Sequence, residues 1–148
     1  DILKELIPNE SAYRKAIYNW FENSWLNECF KEFSSWNSDI ILTSDHGNIK
    51  VNKPAVVKAD SMASNGVRYK YGRNLNVNEK KVLKIKNPQD YMLPSLDINT
   101  EYIVAKDSNY FIYSNQYHKF VNMYKNSFQH GGISLDEIIV PLIHLENK

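Results

Sequence analysis

The chain has 148 residues, 43% of them hydrophobic and 24% charged, with a single cysteine and a formal net charge of +1. That is one domain's worth of sequence, long enough to bury a core without disulfides, and a lone Cys29 excludes an internal disulfide and suits a reducing, cytoplasmic setting. No run of about 18 apolar residues is present, so no membrane span is expected. DILKELIPNE at the start lacks the basic flank and apolar centre of a secretory signal, and with no initiating Met the chain reads as a piece of a longer protein.

Residues 1–37 read as a helical lead-in. Asn9 or Ser11 can cap a first helix, with Ala12, Ala16, Ile17 and Trp20 at helical spacing. Asn23-Ser24 breaks it and caps a second, in which Trp25, Leu26, Cys29, Phe30 and Phe33 form one apolar stripe. Cys29 lies on that stripe, which makes it a buried thiol and not a nucleophile.

Residues 38–51 carry DIILTS, a short β-branched run that suits a strand buried on both faces, as in a parallel sheet between helices. Asp45, His46 and Gly47 follow, and NIKV is a second short strand. Two ionisable groups at the end of a buried strand either cap an Asx-type turn or hold a metal. In open α/β sheets that strand end is where ligands bind, and carboxylate oxygen with imidazole nitrogen is a good donor set for zinc or manganese.

Residues 52–100 change character. Pro54, Gly66, Gly72, Pro88 and Pro94 punctuate short alternating runs such as VRYKYG and KVLKIK, which read as hairpins on one side of the sheet. The charge is uneven: residues 46–86 hold 10 basic and 2 acidic side chains, whereas residues 1–45 hold 4 and 8. Within the basic block, RYKYGR places Arg68, Lys70 and Arg73 near two tyrosines. On a strand Arg68 and Lys70 share a face, which serves either to clamp a phosphate or to protect an edge strand. No groove-reading motif accompanies the block, so nucleic-acid binding has little beyond charge behind it.

Residues 101–148 begin with EYIVA and YFIYS, two strands expected to form a hairpin across KDSN. NQYHKFVNMYKNSF is weakly periodic and is left irregular. FQHGGISLDE places His130 before two glycines and contains Ser134-x-x-Glu137, a capping-box pattern. IIVPLIHL reads as a last strand with Pro141 at its edge or at a bulge. His118 has no acidic neighbour in sequence and His144 reads as a packed strand residue; neither is expected to bind a metal. The pattern as a whole is mixed α/β, helices first, then a mixed sheet with antiparallel hairpins.

ILTSDHGNIKV, RYKYGRNL and NQYHKFVNMYKNSFQHGGISLDEIIVPLI together resemble the C-terminal part of a PglZ domain, over nearly all of the chain. The version is similar to that of PorX-type response regulators, in which a receiver domain precedes the PglZ module. PglZ domains belong to the alkaline phosphatase superfamily. The resemblance therefore implies a single domain over 1–148 with a partial alkaline-phosphatase-like core and a two-metal, usually zinc, centre. Asp45 and His46 would bind one ion and His130 the other. The nucleophile and remaining ligands lie upstream in the family, and the 42 residues before TSDHG contain no His and no nucleophile motif.

The resemblance also implies a metal-dependent phosphodiesterase or phosphatase in the parent protein, with this piece alone inactive. Arg68, Lys70 and Arg73 would meet a phosphate-containing substrate or nucleotide. The alternative is a non-catalytic output module with a vestigial or structural metal centre, protein partners in signalling and a homodimer in the full-length protein.

Overall fold

A computed structural model describes residues 9–115 and 117–146. The fold is mixed α/β, with four helices and four small sheets among the described residues. The chain divides into two compact units, Asp1–Ser44 with Pro141–Lys148, and Asp45–Val140. No helix among the described residues is long and apolar enough to cross a membrane.

In the first unit, helix α1 spans Glu10–Glu22 and α2 spans Trp25–Phe33. Asn9 is the N-cap of α1: its side chain accepts a hydrogen bond from Ala12 N–H at 2.9 Å, satisfying one of the orphan donors of the first turn. Phe21, Phe30, Phe33 and Trp36 form a chain of aromatic contacts, with ring centroids 5.8, 5.8 and 4.7 Å apart in turn. Cys29 is only partly buried in that setting.

Strand β1 (Ile40–Thr43) pairs antiparallel with β9 (Leu142–Leu145), Ile40 opposite Leu145 and Thr43 opposite Leu142. The doubly buried strand expected here is corrected: Ile41 and Leu42 are exposed, because β9 is the one strand paired with β1 among the described residues. Pro141 sits just before β9, where its missing N–H costs no ladder bond, and its carbonyl accepts from Thr43 Oγ1 at 2.7 Å. His144 is also corrected. It is half exposed, with Nε2 at 3.2 Å from Asp39 and Nδ1 at 3.7 Å from Glu146.

The second unit is built on two strand systems. β4 (Tyr69–Gly72), β6 (Glu101–Ala105) and β5 (Val82–Ile85) form an antiparallel sheet in the order β4-β6-β5. β3 (Lys53–Val57) pairs in parallel with β7 (Asn109–Tyr113). The expected EYIVA–YFIYS hairpin does not form, since β6 and β7 each take other partners. Tyr110, Phe111 and Ile112 are all buried, the signature of a strand covered on both faces. Phe111 joins Ala55, Val57, Leu75, Val82 and Ile103 in one core, while Tyr110 and Ile112 join Val51 in another.

Helix α3 (Tyr117–Tyr124) closes that second core, and it occupies part of the segment left irregular above. Tyr117, Phe120, Val121 and Tyr124 recur at i, i+3, i+4 and i+7, a helical face that the Tyr- and Asn-rich composition obscures. The unit is completed by β2 (Ile49–Lys50), β8 (Phe128–Gln129) and the short helix α4 (Leu135–Ile138).

Candidate metal centre

The two histidine motifs meet because β2 and β8 pair. Their antiparallel register sets Ile49 opposite Gln129 and Lys50 opposite Phe128. The residues just before β2 therefore lie beside those just after β8, which brings His46 and His130 together. Their rings stack with centroids 4.0 Å apart and planes 12° from parallel.

Local hydrogen bonds orient His46. Its Nδ1 lies 2.8 Å from the carbonyl oxygen of Gly47. A carbonyl only accepts, so the contact places the proton on Nδ1 and leaves the lone pair of the neutral ring on Nε2. A backbone carbonyl commonly fixes a metal-binding histidine in this way. Asp45 has a share in both alternatives open from the sequence. Its Oδ1 accepts from the His46 backbone N–H at 3.0 Å, a turn-capping contact, and its Oδ2 is 3.7 Å from His46 Nε2. The Asp45 side chain is 87% exposed, so a ligand can reach it.

Near-parallel imidazoles direct their in-plane lone pairs along separate planes rather than at one point. Among the described residues no three His, Cys, Asp or Glu side chains are grouped to hold a single ion. Asp45 and His46 on one loop and His130 on the other are residue types that can donate to zinc.

Behind the stack lies a residue read from the sequence only as a helix cap. Glu137 is almost fully buried, and its carboxylate accepts from Gly132 N–H at 2.8 Å, from Ser134 N–H at 3.1 Å and from Ser134 Oγ–H at 2.6 Å. Its backbone carbonyl accepts from Gly47 N–H at 2.9 Å. Burial alone would raise its pKa. The hydrogen bonds from Arg68, Ser134 and Gly132, with the Arg68 charge, outweigh that and hold the carboxyl below the usual glutamate range.

The expected phosphate clamp is corrected. Arg68 is fully buried, with Nε and Nη2 on Glu137 and Nη1 on the carbonyl of Asn109. Lys70 shares its face, as the strand alternation requires, but that face points inward. Its Nζ donates to the Ser64 carbonyl at 3.0 Å and lies 4.5 Å from the centre of the Tyr113 ring. Arg73 alone of the three is well exposed, 3.6 Å from Asp60 and 3.8 Å from Asp97, on the wall of an open polar cavity of about 890 Å³. Nothing in the local sequence marks Arg68 as internal, since its partner lies 69 residues away.

A model of the family described as the BREX system PglZ alkaline phosphatase-like domain matches residues 10–145. The chain belongs to the PglZ family. No curated protein matches it. The PglZ match spans both histidine motifs and the basic block between them, and it ties the mixed α/β fold to the alkaline phosphatase-like group.

Proposed function

We propose that this PglZ domain supplies one side of a two-zinc centre in a metal-dependent phosphoric-ester hydrolase, a phosphodiesterase or phosphatase. The observation that supports it is the His46–His130 stack. It sets the imidazoles of the two histidine motifs face to face, ring centres 4.0 Å apart, and so gathers donors from both motifs at one place, as a two-metal hydrolase requires. Asp45 and His46 would hold one ion and His130 the other. When bound, two cations make a nucleophile available at neutral pH and stabilise charge on the attacking and leaving oxygens. The chain's own contribution is orientation. The Gly47 carbonyl fixes the His46 tautomer, and the β2–β8 pairing sets the distance between the two imidazoles. Arg73, accessible at its cavity, is the remaining cation for a phosphate-containing substrate or a nucleotide.

The test is hydrolysis of a generic phosphodiester by the full-length protein carrying His46→Ala or His130→Ala. Each substitution is expected to abolish turnover; wild-type rates in both would end this reading.

A second reading has its own support. Arg68 and Lys70 are internal, so much of the charge expected to meet a substrate is spent within the fold. The lysines left on the surface of the basic block would then meet an acidic protein partner. The domain would serve as a cytoplasmic output module of a response-regulator type, dimerising through its full-length protein. Metal analysis separates the two: about two zinc per chain with chelator-sensitive hydrolysis supports the enzyme, and partner binding by metal-free protein supports the module.

A further inference from the structure

We infer that Glu137 is the positioning residue of the histidine pair, with Arg68 as its counter-charge. Its purpose in a metal centre rests on the two-metal reading, but the geometry stands without it. The loop carrying His46 and the loop carrying His130 are joined at one end by the short β2–β8 ladder. Glu137 joins them a second time, from behind. Its backbone carbonyl holds the Gly47 N–H, one residue from His46, and its carboxylate holds the Gly132 N–H, two residues from His130. One residue thus fixes both loops, its main chain taking one and its side chain the other.

Close packing explains why the loops offer glycine at those points. A Cβ on Gly47 would fall on the carbonyl of Asp136, the residue before Glu137, far inside contact distance. A Cβ on Gly132 would fall on the Arg68 guanidinium. That guanidinium cannot swing aside, because Glu137 and the Asn109 carbonyl hold it in a buried site. Arg68 keeps the carboxylate ionised, and an ionised carboxylate has the acceptor sites to take Arg68, Gly132 and Ser134 together. The hydrogen bonds from Glu137 to the two loops run to the Gly47 and Gly132 backbone, so its hold on them is exerted through the loop backbone.

The experiment uses the chain with ¹³C-labelled histidine and no metal, so its outcome is independent of whether zinc binds. Stacked rings shift each other's ring-proton resonances, and His118 and His144 serve as internal references. In Glu137→Gln the acceptor sites are halved while the shape is kept. The mutual ring-current shift of His46 and His130 is expected to be lost, with the two reference histidines unmoved. In the double variant Arg68→Met with Glu137→Met, apolar packing replaces the ion pair but not the acceptors, so the shift should be lost although the fold is retained. A folded Glu137→Gln protein with unaltered His46 and His130 resonances would overturn the inference. Should both variants fail to fold, amide exchange in the unaltered chain decides. Gly47, Gly132 and Ser134 are expected to open together with one free energy. Fast exchange at Gly132 beside a protected Gly47 would overturn the inference. Failure of zinc binding with the resonance shifts behaving as expected would instead count against the two-metal reading alone.

Discussion

Arg68 and Glu137 meet as a two-pronged ion pair, 2.8 Å from Nε to Oε1 and 2.5 Å from Nη2 to Oε2, with neither side chain reaching solvent. Breaking one partner of such a pair strands the other charge in the interior, which costs about 3–5 kcal/mol. Arg68→Ala is therefore expected to lose about that much stability in urea unfolding. Replacing both partners by methionine should recover much of the loss, because apolar residues of similar volume fill the space without an unpaired charge.

The same pair sets a pH dependence. Glu137 has a folded pKa below its unfolded value, so the unfolded chain binds the proton more readily as pH falls. The stabilisation is fully present above the unfolded glutamate pKa, about 4.3, and is lost as pH drops through the lower folded value. Acid unfolding curves of the unaltered chain and Glu137→Gln should converge at the low end of that window and separate above it. Parallel curves throughout would assign the acid sensitivity to other carboxylates.

Lys70 works in the opposite sense. Burial pushes its pKa down to about 8, from an ordinary lysine value of about 10.4. Between those values the unfolded chain binds a proton that the folded chain has released, so this group adds stability as pH rises from about 8 to about 10.4. Lys70→Met should remove that rise and be at least as stable as the parent at pH 7. Thermal melts of the two proteins across that range measure the difference.

Gly47→Ala carries a steric prediction. Its Cβ has no room beside the Asp136 carbonyl, so the loop must shift. The expected cost is about 1–3 kcal/mol, the range for overpacking, together with loss of the histidine stack. Gly66→Ala meets a comparable backbone clash, with the Tyr69 carbonyl, and should also cost stability.

Much of this was legible in the residues where the signal is local. Asn9 as an N-cap, the break at Asn23-Ser24 and the Ser134-x-x-Glu137 box each depend on neighbours within one helical turn, and each occurs as read. The two histidine blocks point to one another by chemistry, and the β2–β8 ladder brings them together. Pairing over distance was not legible. EYIVA and YFIYS look like a hairpin because they are adjacent, but β7 is buried on both faces and takes the parallel partner β3. Arg68 and Lys70 look like surface cations because charge usually is. Their alternation with Tyr69 was readable, and which face lay inward depended on Glu137 and Ser64, remote in sequence or in a loop.

The β1–β9 ribbon bears on how the chain behaves in the test tube. Ile41, Leu142 and Ile143 lie open to solvent on a two-stranded ladder, and an exposed apolar edge of this kind is a template for pairing with further copies. Purified chain should show concentration-dependent light scattering. A single lysine in place of Leu142 should raise its solubility limit while leaving the histidine stack, carried by other strands, unchanged.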